Sequence, residues 1–212
     1  MSLDVSDISY KYSKDDPVLQ SVSLHVDDGE LVALIGPSGC GKSTLLHCIA
    51  GLLDVDCGGI SINGMSVVSV KPHERSIGIM MQDQPLYEHL SVEQNAGFPL
   101  QTRGAAKDTL AQKVEQTLVS LELSELAPRK VSQLSGGERR RVALARAIIV
   151  EPRVLLLDEP FVSLDEALRS TMRQFIRNVH DASNMSTLVV THNAEEAMGL
   201  ADRVIELQKN HP

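Results

Sequence analysis

Five apolar residues, Leu31-Val32-Ala33-Leu34-Ile35, run directly into Gly36-Pro37-Ser38-Gly39-Cys40-Gly41-Lys42-Ser43-Thr44, and a leucine-rich helical pattern follows. A strand, a glycine-rich loop and a helix in that order leave few folds open, because the loop's backbone N–H groups must converge beside a helix N-terminus. The glycines at 36, 39 and 41 permit that turn, Lys42 adds a point charge suited to β- and γ-phosphates, and the Ser43 hydroxyl suits Mg2+. The stretch predicts a nucleotide site, with its helix over 44–53. Cys40 inside the loop reads either as a thiol open to oxidation or as a small tolerated side chain.

Around this unit the pattern divides. Residues 3–30 alternate, as in Val22-Ser23-Leu24-His25-Val26, and predict half-buried antiparallel strands that continue through Ile60-Ser61-Ile62 to the turn signal Asn63-Gly64. Tyr10 and Tyr12 fall on one face of such a strand, where each could stack on adenine or simply pack. Ile77-Gly78-Ile79-Met80-Met81 reads as a short strand ending at Gln82, followed by a loop containing Pro85 and Pro99. Helical spacing then appears over 107–123 in Leu110, Val114, Leu118 and Leu121, and again after Leu134-Ser135-Gly136-Gly137-Glu138 as far as Val150, before Pro152.

Ser135 and Glu138 also satisfy a capping box. That leaves unexplained the paired Gly136 and Gly137, which weaken a first helical turn unless backbone must approach a phosphate closely. Arg139, Arg140 and Arg141 are read as a solvated face, since no aromatics interleave with them.

Val154-Leu155-Leu156-Leu157 is continuous enough for a strand buried on both faces, and it ends in Asp158-Glu159. Adjacent carboxylates are poor core residues; Asp158 suits a Mg2+ ligand, directly or through water, and Glu159 a general base. Beyond Ser163-Leu164-Asp165, a helix presents Leu168, Met172, Phe175, Ile176 and Val179 on one face and Arg169, Arg173 and Arg177, read as solvated, on another. A last buried strand, Thr187-Leu188-Val189-Val190, leads to His192. A lone histidine is commonly structural, but three apolar strands ending at Gly36, Asp158 and His192 can face one crevice at the carboxyl edge of a parallel sheet.

Composition removes several classes. Twenty basic against 28 acidic residues, net −8, argue against a dedicated nucleic-acid binder. No apolar run approaches the ~20 residues that span a bilayer, and the N-terminus lacks a leader pattern, so a cytoplasmic protein is expected. Cys40, Cys48 and Cys57 contain no C-x2-C pair for a zinc site, and their odd number does not suit a disulfide framework.

With the phosphate loop, Gln82, the Leu134-Ser135-Gly136-Gly137-Glu138 run, Asp158-Glu159, Ser163-Leu164-Asp165 and His192 in this order, the chain resembles the ATP-binding cassette (ABC) ATPases over nearly its whole length. The resemblance implies an α/β phosphate-loop NTPase core with an antiparallel β subdomain and an inserted helical subdomain. One domain over 1–212 is expected, with 1–85 and 151–212 as the catalytic core and 86–150 as the helical part. It further implies ATP and Mg2+ as ligands, Tyr12 as the adenine-stacking aromatic, and Gln82 as the residue sensing Mg2+ and the attacking water. Asp158 would hold the metal, Glu159 would be the catalytic base and His192 would contact the γ-phosphate.

In such proteins two cassettes meet head to tail, so Ser135, Gly136 and Gly137 of one copy face the phosphate loop of the other, and Asp165 lies on the loop joining the two sites. The segments Arg75-Ser76-Ile77-Gly78 and Leu86-Tyr87-Glu88-His89-Leu90 look most like bacterial uptake systems for sugars, polyamines, iron or thiamine. A homodimer on the inner face of the membrane is then expected, with permease subunits contacting 83–98, a solute-binding protein and no nucleic-acid partner. Export or lipoprotein release is the alternative, and a soluble cassette acting on nucleic acid or ribosomes a further one. Glu138, Ser163 and Asn193 depart from the usual glutamine, alanine and aspartate. The chain ends soon after Leu207, so the regulatory domain of the sugar-type relatives is not expected here.

Overall fold

A computed structural model describes residues 2–13, 16–82 and 86–208. The alternating first thirty residues give β1 (Leu3–Ser13) and β2 (Asp16–Val26), paired antiparallel. β4 (Cys57–Ile62) joins the other edge of β1, and the two-residue Asn63-Gly64 turn returns the chain as β5 (Met65–Ser66), for a sheet order β2-β1-β4-β5.

The apolar runs build a second sheet. β3 (Leu31–Ile35), β6 (Ile77–Met80), β7 (Val154–Asp158), β8 (Ser186–Val190) and β9 (Arg203–Glu206) lie in the order β6-β7-β8-β3-β9, every pair parallel. Every residue of β7 and β8 is buried. Burial on both faces accounts for their apolar residues; the buried Ser186, Thr187 and Asp158 at their ends are polar. One hydrophobic cluster packs β1, β2 and β4 with α1 (Lys42–Ala50) against Val32, Leu34, Leu156 and Leu188. The other packs Leu155, Leu157 and Val189 against the helical stretch between β6 and β7 and against α5 (Glu166–Asp181). The parallel sheet thus separates two cores.

Several helix bounds differ from the periodicity. α1 begins at Lys42 because Gly41, with φ 99°, is its N-cap and accepts the first helical bond from Leu45 at 2.8 Å. It ends at Ala50, where the Arg75 guanidinium binds the last carbonyls. Pro99, expected in a loop, lies inside α2 (Val92–Thr102). A Ser91–Gln94 capping box starts that helix, and its packing on the neighbouring helix outweighs the one ladder bond that a proline removes. Gly97 sits there against Leu110 and Val114 of α3 (Lys107–Ser120). α3 stops short of 123 because Glu122 takes a left-handed φ of 52°. α4 (Gly136–Ile148) follows, two residues shorter than expected. Pro85 lies outside the described residues.

Candidate functional site

β7, β8 and β3 are neighbours in the sheet, so their carboxyl ends deliver Asp158, His192 and the 36–41 loop to one edge. At Gly41 an added Cβ would sit 2.7 Å from Leu19 Cδ2, which closes that position to any side chain. At Gly39, φ 78°, it would meet nothing within 4 Å. The loop is therefore packed on one side and open on the other, as a cradle for an anion requires. Cys40 is buried, with its Sγ 3.9 Å from Lys42 Nζ, so it fills the packed side. Burial pushes the Cys48 thiol behind it up to about 11.

Lys42 folds back over the loop, Nζ donating to Gly36 O at 2.8 Å and Pro37 O at 3.1 Å. The Ser43 hydroxyl donates to Asp158 Oδ1 at 2.9 Å. Asp158 is 3% exposed, and that burial raises its carboxyl above the ordinary value, with Ser43, His47 and Lys42 pulling the other way. A dication beside Ser43 and Asp158 would remove the penalty of the buried charge, so this oxygen pair fits Mg2+. Glu159 directs both carboxylate oxygens at His192 Nδ1, at 2.9 and 3.0 Å. Its backbone is left-handed, with φ 48°. Tyr12 is 59% exposed; its hydroxyl lies 3.3 Å from Thr44 Oγ1, and Tyr10 packs edge-on against its ring. One aromatic face beside the loop is left to solvent.

The remaining expected residues lie elsewhere in the chain. Ser135 caps α4 by accepting from Glu138 N at 3.3 Å while Glu138 Oε2 accepts from Ser135 N at 2.7 Å, so the capping box is real. Beside it Gly136 faces open space, and Leu168 Cδ2 would lie 3.0 Å from a Cβ on Gly137. Leu168, on the apolar face expected from its spacing, packs closely on Gly137 and is 38% exposed. Ser135, Gly137 and Leu168 line a cleft of about 220 Å³ that includes no residue of the phosphate loop. Asp165 caps α5, its Oδ1 accepting from Leu168 N at 2.9 Å. Gln82 is exposed just beyond β6 and shares a second cleft, also about 220 Å³, with Gly136, Arg140 and Ser163.

The arginines correct the sequence reading. Arg139, Arg140 and Arg141 do not form a solvated face: Arg139 donates to Val131 O at 2.8 Å, Arg140 to the carbonyls of Glu159 and Val162, and Arg141 to Leu121 O at 3.0 Å while covering the Phe175 ring. Three consecutive helical positions sweep about 200° around the axis, so one or more must turn inward; that geometry was the available signal. Arg169, Arg173 and Arg177 are likewise tied, to Leu164 O and Glu196, to Glu166, and to Asp181 and Asp202. Another feature missed is buried Glu196, which accepts from Thr191 Oγ1 at 2.8 Å and so braces the loop bearing His192.

The chain is similar to several known proteins. The sequence profile of the ABC transporter family matches residues 19–162. A sulfate/thiosulfate import ATP-binding protein of Cucumis sativus is 44% identical over 209 residues, covering 97% of this chain and 59% of that protein. Its counterpart in Synechocystis is 45% identical over 205 residues, with 97% and 58% covered. An sn-glycerol-3-phosphate import ATP-binding protein of Agrobacterium fabrum is 44% identical over 209 residues, with 99% and 56% covered. The chain thus spans less than three-fifths of the length of these curated relatives. A bacterial ABC transporter cassette solved as a dimer superposes with a TM-score of 0.86 at 27% identity, covering 98% of this chain and 94% of that one.

Proposed function

Since the chain belongs to the ABC transporter family, we propose that it is the ATP-binding and ATP-hydrolysing subunit of a transporter, and specifically of an importer. The observation that carries this reading is the meeting of Lys42, Ser43, Asp158, Glu159 and His192 at the ends of three adjacent parallel strands. The import ATP-binding relatives favour uptake over export.

In this mechanism the open face of the 36–41 loop takes the β- and γ-phosphates, and Lys42 leaves its two loop carbonyls to meet them. Tyr12 stacks on adenine. Ser43 and Asp158 would hold Mg2+, whose contribution would be charge stabilisation on the phosphates, and Gln82 would sense the metal and the attacking water. Glu159 accepts a proton from the attacking water, and His192, already on its carboxylate, orients that group and reaches the γ-phosphate. Ser135, Gly136 and Gly137 serve the site of a second copy, since neither the cleft at Ser135 and Gly137 nor the one at Gly136 includes a residue of their own phosphate loop, and Asp165 adjoins the same dimer surface. Residues 86–150 act as a helical unit that closes on nucleotide.

The permease is proposed to dock on the groove of about 460 Å³ bounded by Ile79, Tyr87, Phe98, Pro99, Arg103 and Arg146. Of the expected 83–98 contact, Tyr87 and Phe98 line this groove; 83–85 lie outside the described residues. No helix among the described residues is long and apolar enough to cross a membrane, and attachment to the inner face through permease subunits is part of the proposal. A solute-binding protein would deliver the solute.

Glu159→Gln tests the assignment. Hydrolysis should fall by at least about a hundredfold while ATP binding persists and the dimer becomes longer-lived in size-exclusion chromatography. Turnover near the wild-type rate would remove Glu159 as the base.

A further inference from the structure

We propose that Arg140 is a positioning residue for Glu159, holding the backbone that aims its carboxylate and so tying α4 to the hydrolytic centre. The inference rests on the reading of Glu159 as the general base.

Immediately after β7 the chain makes a sharp turn over 159–163. Glu159 and Ser163, at its two ends, both take left-handed φ values, 48° and 62°, which are unfavourable for residues with a Cβ. Such a turn persists only where its surroundings fix it. Its own backbone supplies one bond, Val162 N to Glu159 O at 3.3 Å, and β8 supplies another, Val190 O accepting from Glu159 N at 2.9 Å. Phe161, 1% exposed, anchors the middle. Leu164 N donates to Phe161 O at 3.3 Å, and a further clamp is Arg140, whose Nη1 donates to Glu159 O at 3.3 Å and whose Nη2 donates to Val162 O at 2.5 Å.

One planar guanidinium therefore bridges the first carbonyl of the turn and one near its last residue. A point-charge ammonium does not reproduce that fork. Because the first carbonyl belongs to Glu159 itself, moving its peptide plane redirects the bond that carries the carboxylate toward His192.

The second catalytic loop has a clamp of its own. Arg169 Nε donates to Leu164 O at 2.9 Å and lies 3.6 Å from Glu196, which receives the Thr191 hydroxyl next to His192. Arg169 belongs to α5, which follows the 159–163 turn directly. Arg140 belongs to α4, the helix that starts at Ser135. A displacement of α4 against the parallel sheet is thus transmitted to the backbone of Glu159 through one side chain.

The test measures ATP hydrolysis against ATP concentration in Mg2+ for the full chain, with Glu159→Gln alongside. Arg140→Met removes both donors at similar length, and Arg140→Lys keeps the charge without the fork. The two Arg140 bonds described above go to the 159–163 turn and not to the phosphate loop. Arg140→Met is therefore expected to lower kcat about 10- to 100-fold with KM for ATP within about twofold of wild type, and Arg140→Lys to fall between. In nucleotide-free protein well below Tm, the His192 ring resonances should shift in Arg140→Met as Glu159 leaves the imidazole.

An active wild type, an inactive Glu159→Gln and an Arg140→Met with wild-type kcat and unmoved His192 signals would overturn the inference alone. A rise in KM matching the fall in kcat would also overturn it, marking Arg140 as a general support of the fold. An inactive wild type would remove the general-base reading and this inference together. If Arg140→Met does not fold, Arg140→Lys decides by the same two readouts.

Discussion

Removing the Arg75 guanidinium should destabilise the chain by about 3 kcal/mol. Arg75 is 5% exposed, and its side chain donates to four carbonyls: Val70 at 2.9 Å, Cys48 at 3.1 Å, Ile49 at 2.9 Å and Val68 at 3.1 Å. The Cys48 and Ile49 carbonyls belong to the last turn of α1, where Cys48 O also accepts from Gly51 N at 3.0 Å. In Arg75→Ala the Ile49 carbonyl becomes a buried acceptor without its charged donor, at about 1–3 kcal/mol; the Cys48 carbonyl keeps its backbone donor and loses about 1 kcal/mol, and the Val68 and Val70 carbonyls recover water and lose about 0.5 kcal/mol each. Rehydration of the guanidinium is absent from the mutant's folded state, so the wild type's own desolvation penalty offsets part of this sum. Burial is the leading influence lowering the Arg75 proton affinity, which shows that the penalty is present. The balance is about 3 kcal/mol, or roughly 6–12 °C in Tm for a chain of this size. Arg75→Lys, with a single donor centre, should lose about half as much. Urea unfolding followed by circular dichroism gives both values. A loss under about 1 kcal/mol in Arg75→Ala would refute the argument that these carbonyls depend on the guanidinium.

Two further outcomes follow from individual contacts. His180 is buried as the neutral imidazole, Nε2–H donating to Gly29 O at 3.1 Å and Nδ1 accepting from the Thr187 hydroxyl at 2.9 Å. Burial, then Arg177, lowers its pKa from the ordinary 6.5, with the Gly29 bond, Asp202 and Asp181 opposing; its stabilisation is complete above the unfolded value and is lost as pH falls through the folded one. Tm should therefore drop more steeply below about pH 6.5 in wild type than in His180→Gln, and parallel Tm–pH curves would exclude His180 as the cause. Ser135→Asp retains an N-cap for α4, so stability should stay within about 1 kcal/mol of wild type, while the added negative charge should abolish hydrolysis at the partner's phosphates; unimpaired turnover would leave Ser135 as a cap and nothing more.

Much of the fold was legible because it follows from periodicity. The fully buried β7 and β8 had to be apolar on both faces, and the half-buried β1 and β2 had to alternate. The nucleotide edge was legible for a related reason: Lys42, Ser43, Asp158 and Glu159 adjoin their strands in sequence, so a strand assignment also places the side chain. Pro99 failed because the rule that proline ends helices competes with packing, and at α2 packing prevailed. Leu168 packs on Gly137, where a side chain would crowd it, and the rest of its surface is exposed.

The arginines failed for a different reason, which also bears on the charge argument. Partners that are themselves side chains leave a trace: Arg177 and Asp181 stand four apart on one helix, and their ion pair could be guessed. A carbonyl is present at every residue and leaves none. Arg75, Arg139, Arg140, Arg141 and Arg169 all bind backbone carbonyls, and each does so at a helix end or turn, where a carbonyl has a lone pair outside the regular ladder. The guanidinium suits this role because its fork spans two acceptors and its charge survives burial better than an ammonium's. Burial does not unbalance the charge: among the described residues Lys42, Arg75 and Arg146 are buried alongside Asp158, Glu159 and Glu196, so the surface carries the net charge of −8. Arg146, beneath the Tyr87 ring, belongs to the groove proposed above for the permease.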